Sequence, residues 1–329
     1  MGNKIKKPIC FISTGGTISM KYDSFTSGFI PAVKANDLFE FLKSQNIYYD
    51  YKIFEYSNKP SPHITIEDMK NIADYVFLNK EKYHGFIITH GTDVLEETAF
   101  FLDITLPRSI KCIVTASMRS TSEIGVDGPR NILGSVKTLV SEESNNYGVL
   151  VVLNDEIHDP LTVTKTYTSN VSTFNSPAFG ILGIVDEDKV FFGRNKIQNI
   201  MLDYRKFEKN IVLYKTYVGD NGDFLNYLLK DNGLRGLVIE GFGRGNVPPN
   251  IFEKIESFIK KDIVVIISSR CHIGRTLGVY SYKGGGKSLE DLGAILSRDV
   301  KPHKAYLLLG LLLGKNYSKK HIKNVFSLY

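Results

Sequence analysis

Hydroxyl and carboxylate side chains follow short apolar runs at two points in the first third of the sequence. Residues 9–12 lead into 14–17 (Thr-Gly-Gly-Thr), and residues 86–89 lead into 90–93 (His-Gly-Thr-Asp). In an open α/β sheet, ligands bind beyond the carboxyl ends of the strands, which is where both turns would lie. Glycines after a strand let backbone N–H groups face an anion or an oxyanion. A neighbouring threonine can then attack a carbonyl carbon, provided that a base removes its proton.

Lys165 is our candidate for that base, with Asp93 as its partner. A lysine beside a threonine hydroxyl can act as a base when burial or a neighbouring charge lowers its pKa. Each residue also has a plainer interpretation: the Thr-Gly-Gly-Thr turn can be a tight loop, Asp93 can cap a helix, and Lys165 can be solvated surface. Their joint placement at predicted strand ends favours a catalytic site.

The elements that must position these residues alternate along the chain. Apolar runs of strand length end at polar or glycine-rich turns, and they are residues 9–12, 86–89, 110–115, 149–153, 236–240 and 262–267. Helical patterns lie between them; Thr65 and Asp68 fit a capping box, and apolar residues follow at helical spacing from Met69. This alternation predicts an α/β fold with a parallel sheet.

A polar stretch of roughly residues 195–210 interrupts the alternation, and a second set of strands and helices follows it. We therefore predict a larger N-terminal parallel-sheet domain over residues 1–195, a linker over 196–212 and a smaller C-terminal α/β domain over 213–329. In the second domain, Pro248 and Pro249 open a helix with one apolar face, and the apolar helix that begins at Pro302 is expected to be buried.

The composition disfavours several classes of protein. The net charge of +6 is modest and the lysines are spread along the chain, which disfavours a nucleic-acid partner. No apolar run approaches the roughly 20 residues that a membrane span needs, and the N-terminus lacks the pattern of a signal peptide. The three cysteines, each in or beside an apolar run, predict reduced core cysteines and a cytoplasmic protein.

Three other kinds of site find less support. Residues 284–288 (Gly-Gly-Gly-Lys-Ser) invite comparison with a phosphate-binding loop, but Ser281 stands where a Walker loop requires glycine. The seven histidines have no metal-ligand spacing, and the Gly-x-Ser-x-Gly elbow of serine hydrolases is absent. These patterns disfavour nucleotide binding, a metal centre and a serine nucleophile.

At the two candidate turns the chain resembles a known family, the bacterial-type L-asparaginases of the asparaginase/glutaminase family. The first signature of that family is present as residues 12–18 (Ile-Ser-Thr-Gly-Gly-Thr-Ile). The second is present as residues 89–99 (Thr-His-Gly-Thr-Asp-Val-Leu-Glu-Glu-Thr-Ala). Further matches are residues 117–120, 127–131, 163–166 and 241–248. The resemblance thus spans nearly the whole chain, with its motifs in the expected order.

The resemblance implies roles for the matched residues. Thr17 matches the primary nucleophile, and Thr92, Asp93 and Lys165 match a second, triad-like group. The substrate-binding positions that it implies are Gly16, Ser61, Gly91, Thr92, Asp93, Ser117 and Asn246. Ser61 would bind the substrate carboxylate and Asp93 its α-amino group. Ser117 would contact the leaving amide, and Asn246 would reach into the site of a neighbouring subunit.

The implied reaction is a double displacement on a small amino-acid substrate, without a metal or organic cofactor. Thr17 attacks the side-chain amide of L-asparagine, ammonia leaves, and water hydrolyses the acyl-enzyme to give L-aspartate. The resemblance also implies a homodimer or homotetramer. The segment between Ile18 and Gly28 would form a lid over the substrate. Phe29 stands where one variant of the motif has a tyrosine, and Tyr22 is another candidate for that role.

The altered lid leaves the substrate open, and glutamine, D-asparagine and a small peptide amide are alternatives to L-asparagine. A catalytically weak relative that binds an amino acid is a second alternative, although Thr17, Thr92, Asp93 and Lys165 are all retained. The amidase subunit of a tRNA-dependent amidotransferase shares the signatures. Such subunits carry an additional N-terminal domain, which the early first strand disfavours.

Overall fold

The computed structural model describes residues 5–16, 20–23, 28–31, 42, 49–197 and 200–329, with residues 20–23 and 28–31 described by their backbone. The chain divides into two compact units, Met1–Met201 and Leu202–Tyr329. Within the described ranges, no helix combines the length and the apolar character that crossing a bilayer would demand.

The first unit is built on an eight-stranded sheet with the strand order β12-β11-β8-β7-β6-β5-β1-β4. The strands of this unit are β1 (Ile9–Gly15), β2 (Met20–Asp23), β3 (Gly28–Pro31), β4 (Tyr51–Lys59), β5 (Gly85–Thr89), β6 (Cys112–Thr115), β7 (Val149–Leu153), β8 (Glu156–His158), β9 (Thr164–Lys165), β10 (Phe174–Asn175), β11 (Gly183–Asp186) and β12 (Lys189–Phe192). The adjacent strands β4, β1, β5, β6 and β7, in that order across the sheet, pair in parallel. Strands β8, β11 and β12 continue the sheet as an antiparallel edge.

Helices α1 (Ile66–Asn79), α2 (Leu95–Asp103) and α3 (Gly128–Val140) connect the parallel strands of the first unit. The capping box predicted for α1 is confirmed: Thr65 accepts a hydrogen bond from Asp68 N at 3.2 Å, and the Asp68 carboxylate accepts one from Thr65 N at 2.8 Å. β5, β6 and β7 are buried along their whole length. Burial on both faces explains why their sequences read as continuous apolar runs.

The second unit contains a four-stranded parallel sheet with the order β13-β14-β15-β16. Its strands are β13 (Ile211–Lys215), β14 (Gly236–Gly241), β15 (Val264–Ser269) and β16 (Ile295–Leu296). Its helices are α4 (Asp223–Leu228), α5 (Pro249–Lys260), α6 (Gly286–Leu292), α7 (Pro302–Gly314) and α8 (Lys319–Phe326). The apolar face of α5 is buried through Ile251, Ile255 and Phe258, and α7 is buried along most of its length.

The predicted fold class is confirmed, with a larger N-terminal unit on a mostly parallel sheet and a smaller C-terminal α/β unit. One prediction about the core is wrong. Cys10 and Cys112 are buried free thiols, but Cys271 is exposed. It follows β15 by two residues, so the apolar run ends before it, and its amide donates to Ser269 Oγ at 3.0 Å in a surface turn.

Candidate active site

The first candidate turn follows β1, where two glycines bring the chain against the end of β4. Gly15 and Gly16 have φ angles of +104° and +84°, in the left-handed region that favours glycine. Gly16 N donates a hydrogen bond to Lys59 O at 3.2 Å, and a Cβ on Gly15 would lie 2.5 Å from the same oxygen. Ser57 Oγ, also on β4, donates to Thr14 O at 2.8 Å. The backbone of this turn is therefore held in one conformation beside β4.

The second candidate turn, residues 90–93, follows β5, which is the neighbour of β1 in the sheet. The backbone of Gly91 packs against that of Gly16, and a Cβ on Gly91 would come within 2.5 Å of Ser61 Cβ. Because the two strands are adjacent and parallel, their carboxyl ends deliver both turns to the same edge of the sheet. The structure thus brings Gly16, Gly91 and Ser61 together, three of the positions predicted to bind the substrate.

Thr92, Asp93 and Lys165 form a hydrogen-bonded group at this edge. Lys165 Nζ donates to Thr92 Oγ1 at 3.0 Å and to Asp93 Oδ1 at 2.8 Å. Thr92 is buried, whereas the Asp93 side chain is 54% exposed and that of Lys165 is 17% exposed. An ammonium or amine held against a threonine hydroxyl can exchange a proton with it. The exposed Asp93 carboxylate retains lone pairs that can accept hydrogen bonds from a cationic ligand.

Ser61 begins a single 3₁₀ turn, Ser61–His63, directly after β4. Its side chain is buried, and its Oγ accepts a hydrogen bond from Asp93 N at 3.1 Å. The hydroxyl therefore bridges the end of β4 and the turn after β5. A hydroxyl that already accepts one hydrogen bond can still donate its own proton, for example to a carboxylate.

Ser117 follows β6 at the same edge of the sheet and is fully buried, with its Oγ donating to Arg119 O at 2.8 Å. Asp127 closes this loop, because its carboxylate accepts hydrogen bonds from the amides of Met118 and Arg119 at 3.0 and 2.9 Å. Asn131 donates to Ala116 O at 2.9 Å. The sequence motif of residues 117–131 is thus a set of loop contacts that hold Ser117 in place.

Asn246 lies in the second unit, where its backbone forms a bridge with Phe242 just after β14. Its side-chain oxygen accepts a hydrogen bond from Gly286 N at 3.2 Å. Gly286, the third glycine of residues 284–286, is the first residue of α6, so the triple-glycine segment leads into a helix. A role of Asn246 in the site of a neighbouring subunit stays a prediction.

Several predicted residues lie outside the described part of the chain. Thr17 is one of them, and so are Ile18 and the residues 24–27 of the predicted lid. The backbone of β2 and β3 is described, and it forms an antiparallel hairpin in which Tyr22 pairs with Phe29. The last residue described before Thr17 is Gly16, whose backbone lies against Gly91 in the turn after β5.

His90 braces the second turn from within the core. Its Nδ1 lies 2.7 Å from Gly91 O, and its Nε2 lies 3.1 Å from Thr98 Oγ1. A carbonyl oxygen only accepts, so Nδ1 carries the proton and Nε2 accepts from the Thr98 hydroxyl. Complete burial lowers the pKa of His90 to about 4, against a small opposing effect of the bond to Gly91. A neutral, fully bonded imidazole positions the turn and is poorly suited to act as a base near pH 7.

Glu96 also belongs to the site, although no role for it is predicted from the sequence. It lies in the first turn of α2 and is buried. Its carboxylate oxygen Oε1 accepts hydrogen bonds from Thr164 Oγ1 at 3.1 Å and from Lys165 N at 3.2 Å. The signal that the sequence offers is its place in the first turn of α2, which begins two residues after Asp93. Its partners lie too far along the chain for any local pattern to indicate them.

Comparisons with known proteins agree with this geometry. A family model described as "Asparaginase, N-terminal" matches residues 8–198, and one described as "Glutaminase/Asparaginase C-terminal domain" matches residues 210–326. An L-asparaginase of Bacillus licheniformis is 32% identical over 327 residues, which cover 98% of this chain and 99% of the relative. L-asparaginase 2 of Escherichia coli K12 is 30% identical over 332 residues, covering 98% and 93% of the two chains.

Among solved structures, the probable cytoplasmic L-asparaginase from Campylobacter jejuni superposes with a TM-score of 0.87 at 32% sequence identity. The match covers 98% of this chain and 100% of that one. Family models match within both units, and the relatives align over nearly the whole length. On this basis the chain belongs to the asparaginase family.

Proposed function

We propose that this protein is an L-asparaginase, which hydrolyses L-asparagine to L-aspartate and ammonia. Its membership of the asparaginase family and the names of its relatives support this activity. The single observation that carries the proposal is the contact of Lys165 Nζ with Thr92 Oγ1 and Asp93 Oδ1. That group lies in and beside the turn that contacts Gly16, the residue directly before Thr17 in the chain, so a proton carrier and a carboxylate lie next to the backbone that leads to the proposed nucleophile.

In the proposed mechanism, Thr17 Oγ1 attacks the carbon of the side-chain amide and loses its proton to a base. Backbone N–H groups of the Gly16 and Gly91 turns, with a water molecule, stabilise the oxyanion. Removing one such donor typically costs about 2.7–4 kcal/mol of transition-state stabilisation. The amide nitrogen takes up a proton and leaves as ammonia, which leaves an ester between Thr17 and the aspartyl group. Water then attacks the ester, releases L-aspartate and restores the Thr17 hydroxyl.

The neighbouring residues supply binding and proton transfer. Asp93 is proposed to bind the α-ammonium group of the substrate, because its carboxylate is exposed. Ser61 is proposed to bind the α-carboxylate, because its hydroxyl accepts a hydrogen bond from the Asp93 backbone amide and can still donate its own proton. Thr92 and Lys165 are proposed to carry a proton, and Ser117 to line the place of the leaving amide. Both displacement steps proceed without a metal or an organic cofactor.

The organisation of the enzyme is also a proposal. Residues 1–195 would form the catalytic domain, 196–212 the linker and 213–329 the C-terminal domain, although Lys196 pairs with Asp103 inside the first unit. We propose a homodimer or homotetramer in which Asn246 serves the site of a neighbouring subunit. We also propose a cytoplasmic location, in line with the name of the solved relative from Campylobacter jejuni.

The test is ammonia release from L-asparagine, L-glutamine and D-asparagine by the purified protein and by its Thr17→Ala variant. Turnover of L-asparagine that is lost in the variant supports both the reaction and the nucleophile. Faster turnover of L-glutamine or D-asparagine would change the proposed substrate but leave the proposed mechanism unchanged. Absence of turnover with all three would overturn the proposed function.

A further inference from the structure

We propose that Glu96 is the positioning residue that holds Lys165 against Thr92. This inference rests on the proposed function, in which Lys165 and Thr92 carry a proton. The Glu96 carboxylate binds the main chain at Lys165 and the hydroxyl of Thr164, which are the two residues of β9.

β9 is not a strand of the eight-stranded sheet. It pairs with β10 in a separate two-stranded sheet, with Lys165 opposite Phe174 and Thr164 opposite Asn175. Thr92, by contrast, lies in the turn that directly follows β5 of the eight-stranded sheet. The distance between Lys165 Nζ and Thr92 Oγ1 therefore depends on how the small hairpin is attached to the large sheet.

Glu96 supplies an attachment at Lys165 itself, in addition to the contact of His158 in β8 with Ser176 after β10. Glu96 lies in the first turn of α2, three residues after Asp93, so its backbone is rigidly connected to the turn that carries Thr92. From there its Oε1 accepts from Lys165 N at 3.2 Å, while Lys165 Nζ reaches back to Thr92 Oγ1 at 3.0 Å. The main chain and the side-chain tip of one lysine are thus both fixed to the same strand–turn–helix segment.

The position of Glu96 suits this task. The residue is only 7% exposed, so its hydrogen bonds face little competition from water. A carboxylate in the first turn of a helix also interacts favourably with the helix dipole, which favours its remaining in place. A displacement of about 1 Å in a catalytic group can cost about 10²-fold in rate. We therefore expect loss of the Glu96 acceptor to lower the rate of the chemical steps.

Two substitutions distinguish the effect of the Glu96 acceptor oxygen from the effect of its negative charge. Glu96→Gln keeps an oxygen in the place of Oε1, whereas Glu96→Ala removes it. We expect Glu96→Ala to lower kcat for L-asparagine by about 10–100-fold with KM within about threefold, and Glu96→Gln to keep kcat within about threefold. Thr164→Val, which removes one of the two donors, should lie between them. Glu67→Ala is the matched control, because Glu67 is likewise in the first turn of a helix but its side chain is 64% exposed.

A second measurement does not depend on turnover. Acetic anhydride labels lysine amines, and peptide mass spectrometry gives the labelling rate of Lys165 relative to Lys260, whose side chain is 71% exposed. In Glu96→Ala we expect Lys165 to label at least about threefold faster than in the unaltered protein, since the freed hairpin exposes its amine. In Glu96→Gln and Glu67→Ala the rate should be unchanged.

The outcomes keep the two proposals apart. Faster labelling of Lys165 and lower kcat in Glu96→Ala, both restored in Glu96→Gln, support the positioning role. Unchanged labelling in Glu96→Ala overturns it, whatever the activity, and so does a glutamine variant that behaves like the alanine variant. An unaltered protein that fails to hydrolyse any of the three amides would overturn the proposed function alone, while the labelling experiment still decides the role of Glu96.

Discussion

Gly16 and Gly91 lie so close together that a Cβ built on Gly16 would stand 2.2 Å from Gly91 Cα and 2.4 Å from Gly91 N. No side chain fits between backbones at that distance. The two glycines thus allow the turn that leads to Thr17 and the turn that carries Thr92 to touch. This contact explains the second glycine of the first signature and the glycine of the second signature.

The first prediction concerns this contact. Gly16→Ala should lower kcat/KM for L-asparagine by at least about 10²-fold, because the methyl group must push the two turns apart. It should also lower the melting temperature, since alanine is strained at a φ of +84°. Steady-state kinetics and thermal unfolding measure the two effects separately.

Gly180→Ala is the matched control for that variant. Gly180 has a similar φ of +76°, but no described heavy atom lies within 4 Å of where its Cβ would be. It should therefore show the strain of a left-handed alanine without the loss of activity. Equal activity in the two variants would show that the approach of Gly16 to Gly91 has no catalytic importance.

A second prediction concerns the hydroxyl that Lys165 contacts. Thr92→Val preserves the shape of a buried side chain but removes the atom that accepts from Lys165 Nζ at 3.0 Å. We expect kcat to fall by about 10²–10⁴-fold, the range in which a positioned proton carrier contributes. Thr92→Ser retains the hydroxyl and should recover most of this loss. Normal kcat in Thr92→Val would remove Thr92 from the proposed proton transfer.

The sequence predicts the parts of this fold that have local causes. The α1 capping box needs only Thr65 and Asp68, three residues apart, and the buried strands need only a run of apolar residues. The antiparallel edge was not predicted, because β12 alternates between exposed and half-buried positions and offers no continuous apolar run. The exposure of Cys271 is likewise not predicted, since the chain already lies at the surface two residues beyond the buried strand β15.

In the candidate site, too, features with local causes are predictable from the sequence and long-range contacts are not. The turns after β1 and β5 are predictable, because adjacent parallel strands must deliver their ends to one edge. The contact of Glu96 with Lys165 joins residues that are 69 positions apart, and it depends on the packing of a hairpin outside the main sheet. No periodicity or spacing within the sequence encodes such a contact.

A third prediction concerns the support beneath the first turn. The Asp68 carboxylate accepts hydrogen bonds from Tyr56 OH and Lys59 Nζ on β4, both at 2.7 Å, as well as from Thr65. Burial alone would raise the pKa of Asp68, but these bonds outweigh it and lower the pKa to about 2. Asp68→Ala removes a helix cap and charged hydrogen bonds, so the free energy of unfolding should fall by about 2–4 kcal/mol.

Urea unfolding at neutral pH measures this loss. Glu67→Ala is the control, because it removes the adjacent first-turn carboxylate, which forms only an exposed pair with Lys70. Its effect should stay within about 0.5 kcal/mol. A similar loss in both variants would mean that the lost free energy of unfolding comes from the charge at the helix terminus and not from the hydrogen bonds of Asp68 to β4.

The last prediction is a pH dependence of stability that arises from His90. Burial lowers its pKa to about 4, below the ordinary value of 6.5. Between these two values the unfolded chain binds a proton that the folded protein does not, so the free energy of unfolding falls as the pH falls. A difference of about 2.5 in pKa corresponds to at most about 3.4 kcal/mol, and the effect is absent well above the unfolded pKa.

His90→Gln should remove this share of the pH dependence. Urea unfolding at about pH 7 and about pH 4.5 should show a loss of stability smaller by about 2–3 kcal/mol in the variant than in the unaltered protein. Burial also lowers the pKa of His158 to about 4, so His158 contributes to the pH dependence of stability equally in both proteins. Thr98→Val is the control: it removes the hydroxyl that donates to His90 but keeps the imidazole, so it should be less stable with an undiminished pH dependence. If His90→Gln instead lost as much stability on acidification as the unaltered protein, His90 would have to take up its proton in the folded state near the ordinary pKa, contrary to its burial.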